Sequence, residues 1–214
     1  MIFRLDERLL FPDPALAEKD GLLAVGGDLS IERLLLAYEN GIFPWYNEDT
    51  PILWYSPHER FVLFPYELKI SKSMRQVLRS DKFRMTRDAC FANVIRACSA
   101  VPRTGQDGTW ITEDMIDAYI RLHRLGYAHS VEVWEDNNLA GGLYGVEVGH
   151  VFCGESMFSA VSNASKTALI GLCQSGKYEL IDCQVYTEHL ESMGARMISR
   201  KEYMHILQNA GGKG

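Results

Sequence analysis

Within residues 130–158, three stretches rich in strand formers, SVEVW, LAGGLYGVEV and VFCGESMF, follow one another with only short polar turns between them. Connections that short force neighbouring strands to pair antiparallel, so the middle of the chain is committed to a β-meander. On both sides the apolar period changes. Residues 71–79 read as a helix with Lys72, Arg75 and Arg79 on one face. Asp88 is placed to cap a second helix that turns Phe91, Val94, Ile95 and Cys98 inward, and Thr112 to cap a third that ends near Gly126. Downstream, a helix over about 163–173 precedes the strand YELIDCQV at 178–185. A helix at 188–193, a short strand at 197–198 and a helix at 201–208 follow. Hairpin-paired strands succeeded by strands set between helices predict an α+β domain with a mixed sheet, and not a doubly wound one.

Residues 1–60 differ from the rest. They hold five of the seven prolines and two of the four tryptophans, with one readable helix that Ser30 caps, Leu34, Leu35 and Tyr38 stripe and Gly41 ends. They are expected to form a small N-terminal lobe, 1–60, against a main domain at 61–214. The 214 residues are 47% apolar and 23% charged, which suits a buried core and argues against disorder. No apolar run is long enough to cross a membrane, and the N-terminus carries Asp6 and Glu7 with no long uncharged stretch. The expectation is a cytoplasmic chain. Its five cysteines include no CxxC pair and its six histidines no HxH or HxxxH spacing, so neither a disulfide framework nor a metal site is expected.

The net charge of −6 speaks against a nucleic-acid partner, but its distribution does not. Lys69, Lys72, Arg75, Arg79, Lys82, Arg84 and Arg87 lie close together with Asp81 as the only acid among them. Segregated charge of this kind can hold phosphates on one patch while the remaining surface repels them.

Alternation along LIDCQV puts Ile181, Cys183 and Val185 on one face and Leu180, Asp182 and Gln184 on the other. A carboxylate and an amide on such a strand either brace a neighbouring loop or face a cleft, and spacing leaves both open. In VFCGESMF, Cys153, Glu155 and Met157 should share a face, and Gly154 beside Glu155 suggests a bulge or a close backbone approach. Trp45 and Trp110 sit in Gly- and Pro-rich loops, where a Trp either packs into a seam or stacks a ligand ring. No GxSxG, P-loop or GxGxxG is present.

The series GLLAVGGDLS, GIFPWY, ILWYSP, GTWI, HSVEVW, GGLYG, FCGESMFS, NASKTAL and LIDCQV resembles the leucyl/phenylalanyl-tRNA–protein transferase family, in the family's order and over nearly the whole chain. The resemblance implies an acetyltransferase-like (GNAT-type) α+β domain behind the N-terminal lobe. It implies transfer of Leu or Phe, and less readily Met, from aminoacyl-tRNA to the α-amine of proteins beginning with Arg or Lys, marking them for N-end-rule degradation. It places the family's catalytic Asp and Gln on Asp182 and Gln184, its supporting Glu on Glu155, and its adenosine-holding aromatics on Trp45 and Trp110. The aminoacyl side-chain pocket falls on Leu143, Phe152, Leu169, Leu172 and Ile181, with Leu143 where Met is familiar and Leu172 where Phe is. The basic run becomes the expected track for the tRNA backbone, and neither a cofactor nor a second subunit is expected. Two other readings stand beside this one. An acetyl-CoA-dependent N-acetyltransferase would need a pyrophosphate loop, which is not visible before the helix at 163. A non-enzymatic binder of basic N-termini or RNA would have no need of an apolar pocket beside a polar pair.

Overall fold

The computed structural model describes residues 2–101 and 111–210. A four-stranded sheet comes first, built from β1 (Phe3–Leu5), β2 (Leu22–Gly26), β3 (Phe43–Pro44) and β4 (Leu53–Tyr55) in the order β1-β2-β4-β3. Helix α1 (Ile31–Glu39) lies between β2 and β3, and the Ser30 hydroxyl caps it by accepting from the Arg33 amide. The remaining strands form one seven-stranded sheet. They are β5 (Glu59–Leu63), β6 (Arg84–Arg87), β7 (Ala128–Glu135), β8 (Asn138–Val148), β9 (Val151–Ser159), β10 (Leu180–Gln184) and β11 (Arg196–Ser199), in the order β11-β5-β10-β9-β8-β7-β6.

The meander expected at 130–158 is β7-β8-β9, paired antiparallel throughout. One pair in the large sheet, β9 with β10, is parallel. That pairing needs a crossover, and α5 (Ala164–Gln174) supplies it. The other helices are α2 (Lys72–Arg79), α3 (Phe91–Ser99), α4 (Glu113–Arg124), α6 (Glu188–Ser192) and α7 (Arg200–Ala210). The α+β class with a mixed sheet that the strand pattern predicts is the class observed.

The large sheet deals its side chains alternately to two cores. Val62, Tyr144, Cys153 and Leu180 join a cluster with α1, α3, α4, α7 and the small sheet. Phe61, Leu63, Leu143, Phe152 and Ile181 join a second with α5 and α6. Complete burial of each such side chain contributes about 1.5–3 kcal/mol.

Two expectations need correction. Asp88 does not cap α3. Its backbone is left-handed (φ 57°), and its carboxylate accepts from the Ser130 amide at 2.9 Å and meets the His129 ring at 2.8 Å. The amides leading into α3, those of Ala89 and Cys90, donate instead to the buried Glu132 carboxylate, 3.3 and 3.4 Å away. Met157 does not share a face with Cys153. The β8–β9 register runs Tyr144↔Ser156 and then Gly145↔Gly154, which leaves Glu155 as an extra residue, the bulge that Gly154 suggests. Past that residue the alternation is reversed, so Cys153 packs in the first core and Met157 against the second. Gly145 is what permits this: a Cβ there would lie 2.2 Å from the Cys153 carbonyl oxygen.

Candidate active site

Strands β9 and β10 pair only through Leu180↔Val151, Ile181↔Phe152 and Asp182↔Cys153. Beyond that point both become irregular. The bulge at Glu155 bends one, and a register shift between Asp182 and Gln184 against β5 bends the other. The strands part in the middle of the sheet, and the polar residues singled out in the sequence gather where they part.

Asp182 is 0% exposed and does not stand as a free charge. Arg60, on β5, meets it with Nη2 at 2.5 Å and Nε at 3.3 Å. The same guanidinium donates to the Gly41 carbonyl at 2.9 Å and lies over the rings of Phe43 and Tyr203. Burial disfavours the Arg60 charge, but the Asp182 carboxylate reverses this and raises its pKa. The negative potential of Asp182 is therefore largely cancelled where it arises. What Asp182 retains is a lone pair for the Gln184 backbone amide, at 2.9 Å. Gln184 needs that bond, because its φ is 62° and a left-handed backbone costs a side-chain-bearing residue about 1–2 kcal/mol. A second tie comes from its own side chain, whose Nε2 donates to Glu155 Oε1 at 2.7 Å. Held at both ends, the Gln184 amide turns its Oε1 away from Glu155.

Glu155 is 7% exposed and receives three donors: Gln184 Nε2, the Tyr38 hydroxyl at 2.7 Å and the Tyr119 hydroxyl at 3.3 Å. The two hydroxyls also bond each other. Burial pushes the Glu155 pKa up to about 7, against the pull of those three donors and with a smaller push from Asp182. Both tyrosines have pKa values well above their ordinary range, chiefly through burial, and stay protonated.

On the other face the parting strands open an apolar cavity of about 290 Å³. Leu143, Phe152, Leu169, Leu172 and Ile181 all line it and are all buried, and Met157 and Leu190 complete its wall. An apolar cavity of roughly 150 Å³ already holds a benzene ring, so this one has room for a Leu or Phe side chain. Beside it is a hollow of about 60 Å³ lined by Phe43, Pro44, Trp45, Glu155 and Gln184, and Glu155, Cys183 and Val185 border both spaces. Trp45 is half-buried and tilted against Tyr55, with ring centroids 5.7 Å apart. Trp110 lies outside the described residues. A larger open groove of about 820 Å³ runs between the N-terminal segment and α7, and none of these site residues lines it.

Lys69, Lys72, Arg75, Arg79, Lys82 and Arg84 are exposed, the three on α2 along one side of that helix. Lys82 pairs with Glu135 at 3.5 Å. Arg87 is set apart from them: Asp88 and Glu147, each 3.4 Å away, offset its charge, and it donates to the Tyr178 hydroxyl at 2.6 Å. Among the described residues no cluster of His, Cys, Asp and Glu has the make-up of a metal site, and no helix is long and apolar enough to cross a membrane.

Sequence reasoning missed Arg60, Tyr38 and Tyr119 as parts of the site. Arg60 carried a signal, since a charge next to the apolar run FVLF must be exposed or paired. The tyrosines carried none, because a stripe on a helix shows that a ring is buried and not what its hydroxyl meets.

Two family models match the chain. "Leucyl/phenylalanyl-tRNA protein transferase" covers residues 62–208, and its "N-terminal domain" covers 27–58. A protein named leucyl/phenylalanyl-tRNA–protein transferase from Syntrophobacter fumaroxidans is 61% identical over 96% of this chain and 89% of its own. One of the same name from Flavobacterium johnsoniae is 55% identical over 97% of this chain and 100% of its own. Among solved structures, a GCN5-related N-acetyltransferase from Kribbella flavida aligns with 76% of this chain and 58% of its own, at a TM-score of 0.38 and 9% identity.

Proposed function

Because this chain belongs to the leucyl/phenylalanyl-tRNA–protein transferase family, we propose that the parting of β9 and β10 is its reaction centre. The chain is an aminoacyltransferase that moves Leu or Phe from aminoacyl-tRNA to the N-terminus of a protein. In our reading the acceptors begin with Arg or Lys, Met is transferred less readily, the product is marked for N-end-rule degradation, and the chain acts as a monomer. Leu143, Phe152, Leu169, Leu172 and Ile181 take the aminoacyl side chain, and Trp45 and Trp110 take the terminal adenosine. The exposed basic residues Lys69, Lys72, Arg75, Arg79, Lys82 and Arg84 follow the tRNA backbone, while Arg87 serves to tie β6 to its neighbours. The observation that carries this reading is the apolar cavity bordered by Glu155, which Gln184 meets from the hollow beside it.

The aminoacyl ester is already activated, and the step is attack by an amine on its carbonyl. A terminal α-amine has a pKa of about 7.7–8.0, so reaching its neutral form at pH 7 costs only about 1–1.4 kcal/mol. Holding the two reactants in line is worth roughly 7–11 kcal/mol. Positioning therefore dominates. Gln184 offers Oε1 to the incoming amine, and Asp182 fixes the Gln184 backbone while Arg60 balances its charge. The pocket separates Leu from a side chain one methylene different by only about 1–3 kcal/mol, so some leakage is expected.

The test is a transfer assay with radiolabelled Leu-tRNA and an Arg-starting peptide. The wild-type chain should label the peptide. Asp182→Ala and Gln184→Ala should lose at least about tenfold in kcat, equivalent to about 1.4 kcal/mol, while still binding aminoacyl-tRNA. Wild-type turnover in either variant would remove the β10 pair from the mechanism.

A further inference from the structure

The bond between Gln184 and Glu155 links the open face of the amide to a buried acid, and α1 and α4 close on that acid from behind. Resting on the transferase reading above, we propose that Glu155 is where the acceptor amine's proton goes, passed through the Gln184 amide, and that Tyr38 and Tyr119 are positioning residues that hold Glu155 as a carboxylate.

Three observations meet here. Asp182, the other acid nearby, is already paired with Arg60. Gln184 points its Nε2 at Glu155 Oε1, 2.7 Å away, so a proton arriving on Oε1 can be balanced by one leaving from Nε2. The Tyr38 hydroxyl donates to Glu155 Oε1, and the Tyr119 hydroxyl is within reach of both Glu155 Oε2 and the Tyr38 oxygen, an arrangement that favours the ionised acid inside a core. The Glu155 pKa of about 7 lies near the working pH, where an acceptor is most effective. The groups facing Glu155 are Tyr38 from α1, Tyr119 from α4, Asp182 and Gln184 from β10, and Cys153 on its own strand. Arg60 reaches it only through Asp182.

The step balances as follows. The amine nitrogen bonds to the ester carbonyl carbon and gives a proton to Gln184 Oε1. Gln184 Nε2 gives a proton to Glu155, and the amide passes to its imidic-acid tautomer. When the bond from the carbonyl carbon to the tRNA ester oxygen breaks, the path runs in reverse and the proton leaves on that oxygen as the freed hydroxyl. Gln184 and Glu155 end as they began.

The experiment is the pH dependence of kcat for Leu transfer to an Arg-starting peptide, using the full chain and its Glu155→Gln, Tyr38→Phe and Tyr119→Phe variants. Wild type should show an acidic limb near 7 that does not move when the acceptor is changed for one with a less basic α-amine. Glu155→Gln, which keeps an oxygen for Gln184 Nε2 to reach, should lose about 10²-fold or more in kcat with KM for aminoacyl-tRNA unchanged. Each Tyr→Phe variant removes one donor to the carboxylate and should move the limb up by roughly 1–2 pH units while keeping the high-pH plateau. A purely structural role would lower the plateau and leave the limb in place. Either that outcome in both folded Tyr→Phe variants, or wild-type kcat in Glu155→Gln, would overturn the proposal. Absence of transfer by the wild-type chain would overturn the transferase reading itself.

Discussion

Glu155 has a consequence for stability that is separate from its role in transfer. Its pKa is raised from the ordinary 4.5 to about 7, so the folded chain holds this proton more tightly than the unfolded chain does. Between those two values the folded state carries the proton and the unfolded state does not. Stability should therefore fall as pH climbs from about 4.5 to 7 and level off above, by on the order of 3 kcal/mol at 1.36 kcal/mol per unit. Glu155→Gln cannot titrate and should lack this slope. Urea midpoints measured from pH 5 to 8 would check it, and equal slopes in both proteins would count against it. The residue types of the site were legible in the sequence: alternation put Asp182 and Gln184 on one face, and they do share one. What alternation could not convey is that Asp182 would spend its charge on Arg60, a residue 122 positions away in sequence, because a pairing across that distance exists only once β5 and β10 are neighbours.

Helix α2 makes its own prediction. Lys72, Arg75 and Arg79 line its exposed side and have no acidic partner among the described residues. If they neutralise phosphates, changing all three to Glu should weaken tRNA binding and flatten the fall of affinity with salt. On a duplex the log–log slope should drop by about 0.9 for each phosphate that is no longer neutralised. Titrations from 50 to 200 mM salt would measure it, and an unchanged slope would place the tRNA elsewhere. Elements with a strong local signal were legible. The Ser30 and Thr112 caps and the three-strand meander are where the pattern puts them. The errors came where a distant group outbid a near one. Glu132 took over the start of α3 from Asp88, and the bulge at Glu155 changed the phase of β9. The small strands β1 to β4 were unreadable for another reason: they are two to five residues long, too short to show a period.

At the scale of the whole molecule, the first core is continuous from the small sheet to the large one. Trp54 and Phe43 from one side share it with Val62, Tyr144 and Leu180 from the other, and Arg60 and Tyr38 cross the same boundary with hydrogen bonds. A seam this apolar should not open independently, so thermal unfolding followed by Trp fluorescence and by far-UV circular dichroism should give one coincident transition. Two separated midpoints would show that the N-terminal sheet melts alone. The bulge also makes chain length itself a constraint. Substituting Gly154 or Ser156 changes one side chain, but deleting either would restore strict two-residue counting in β9. The residues on both sides of the cut would keep their cores, Met157 against the second and Phe158 in the first, but the bulge would be gone and Glu155 would lose the odd position that aims it at Gln184. Transfer activity should therefore tolerate exchanges at some sites in this strand and be lost when the number of residues changes, even where the two cores survive the change.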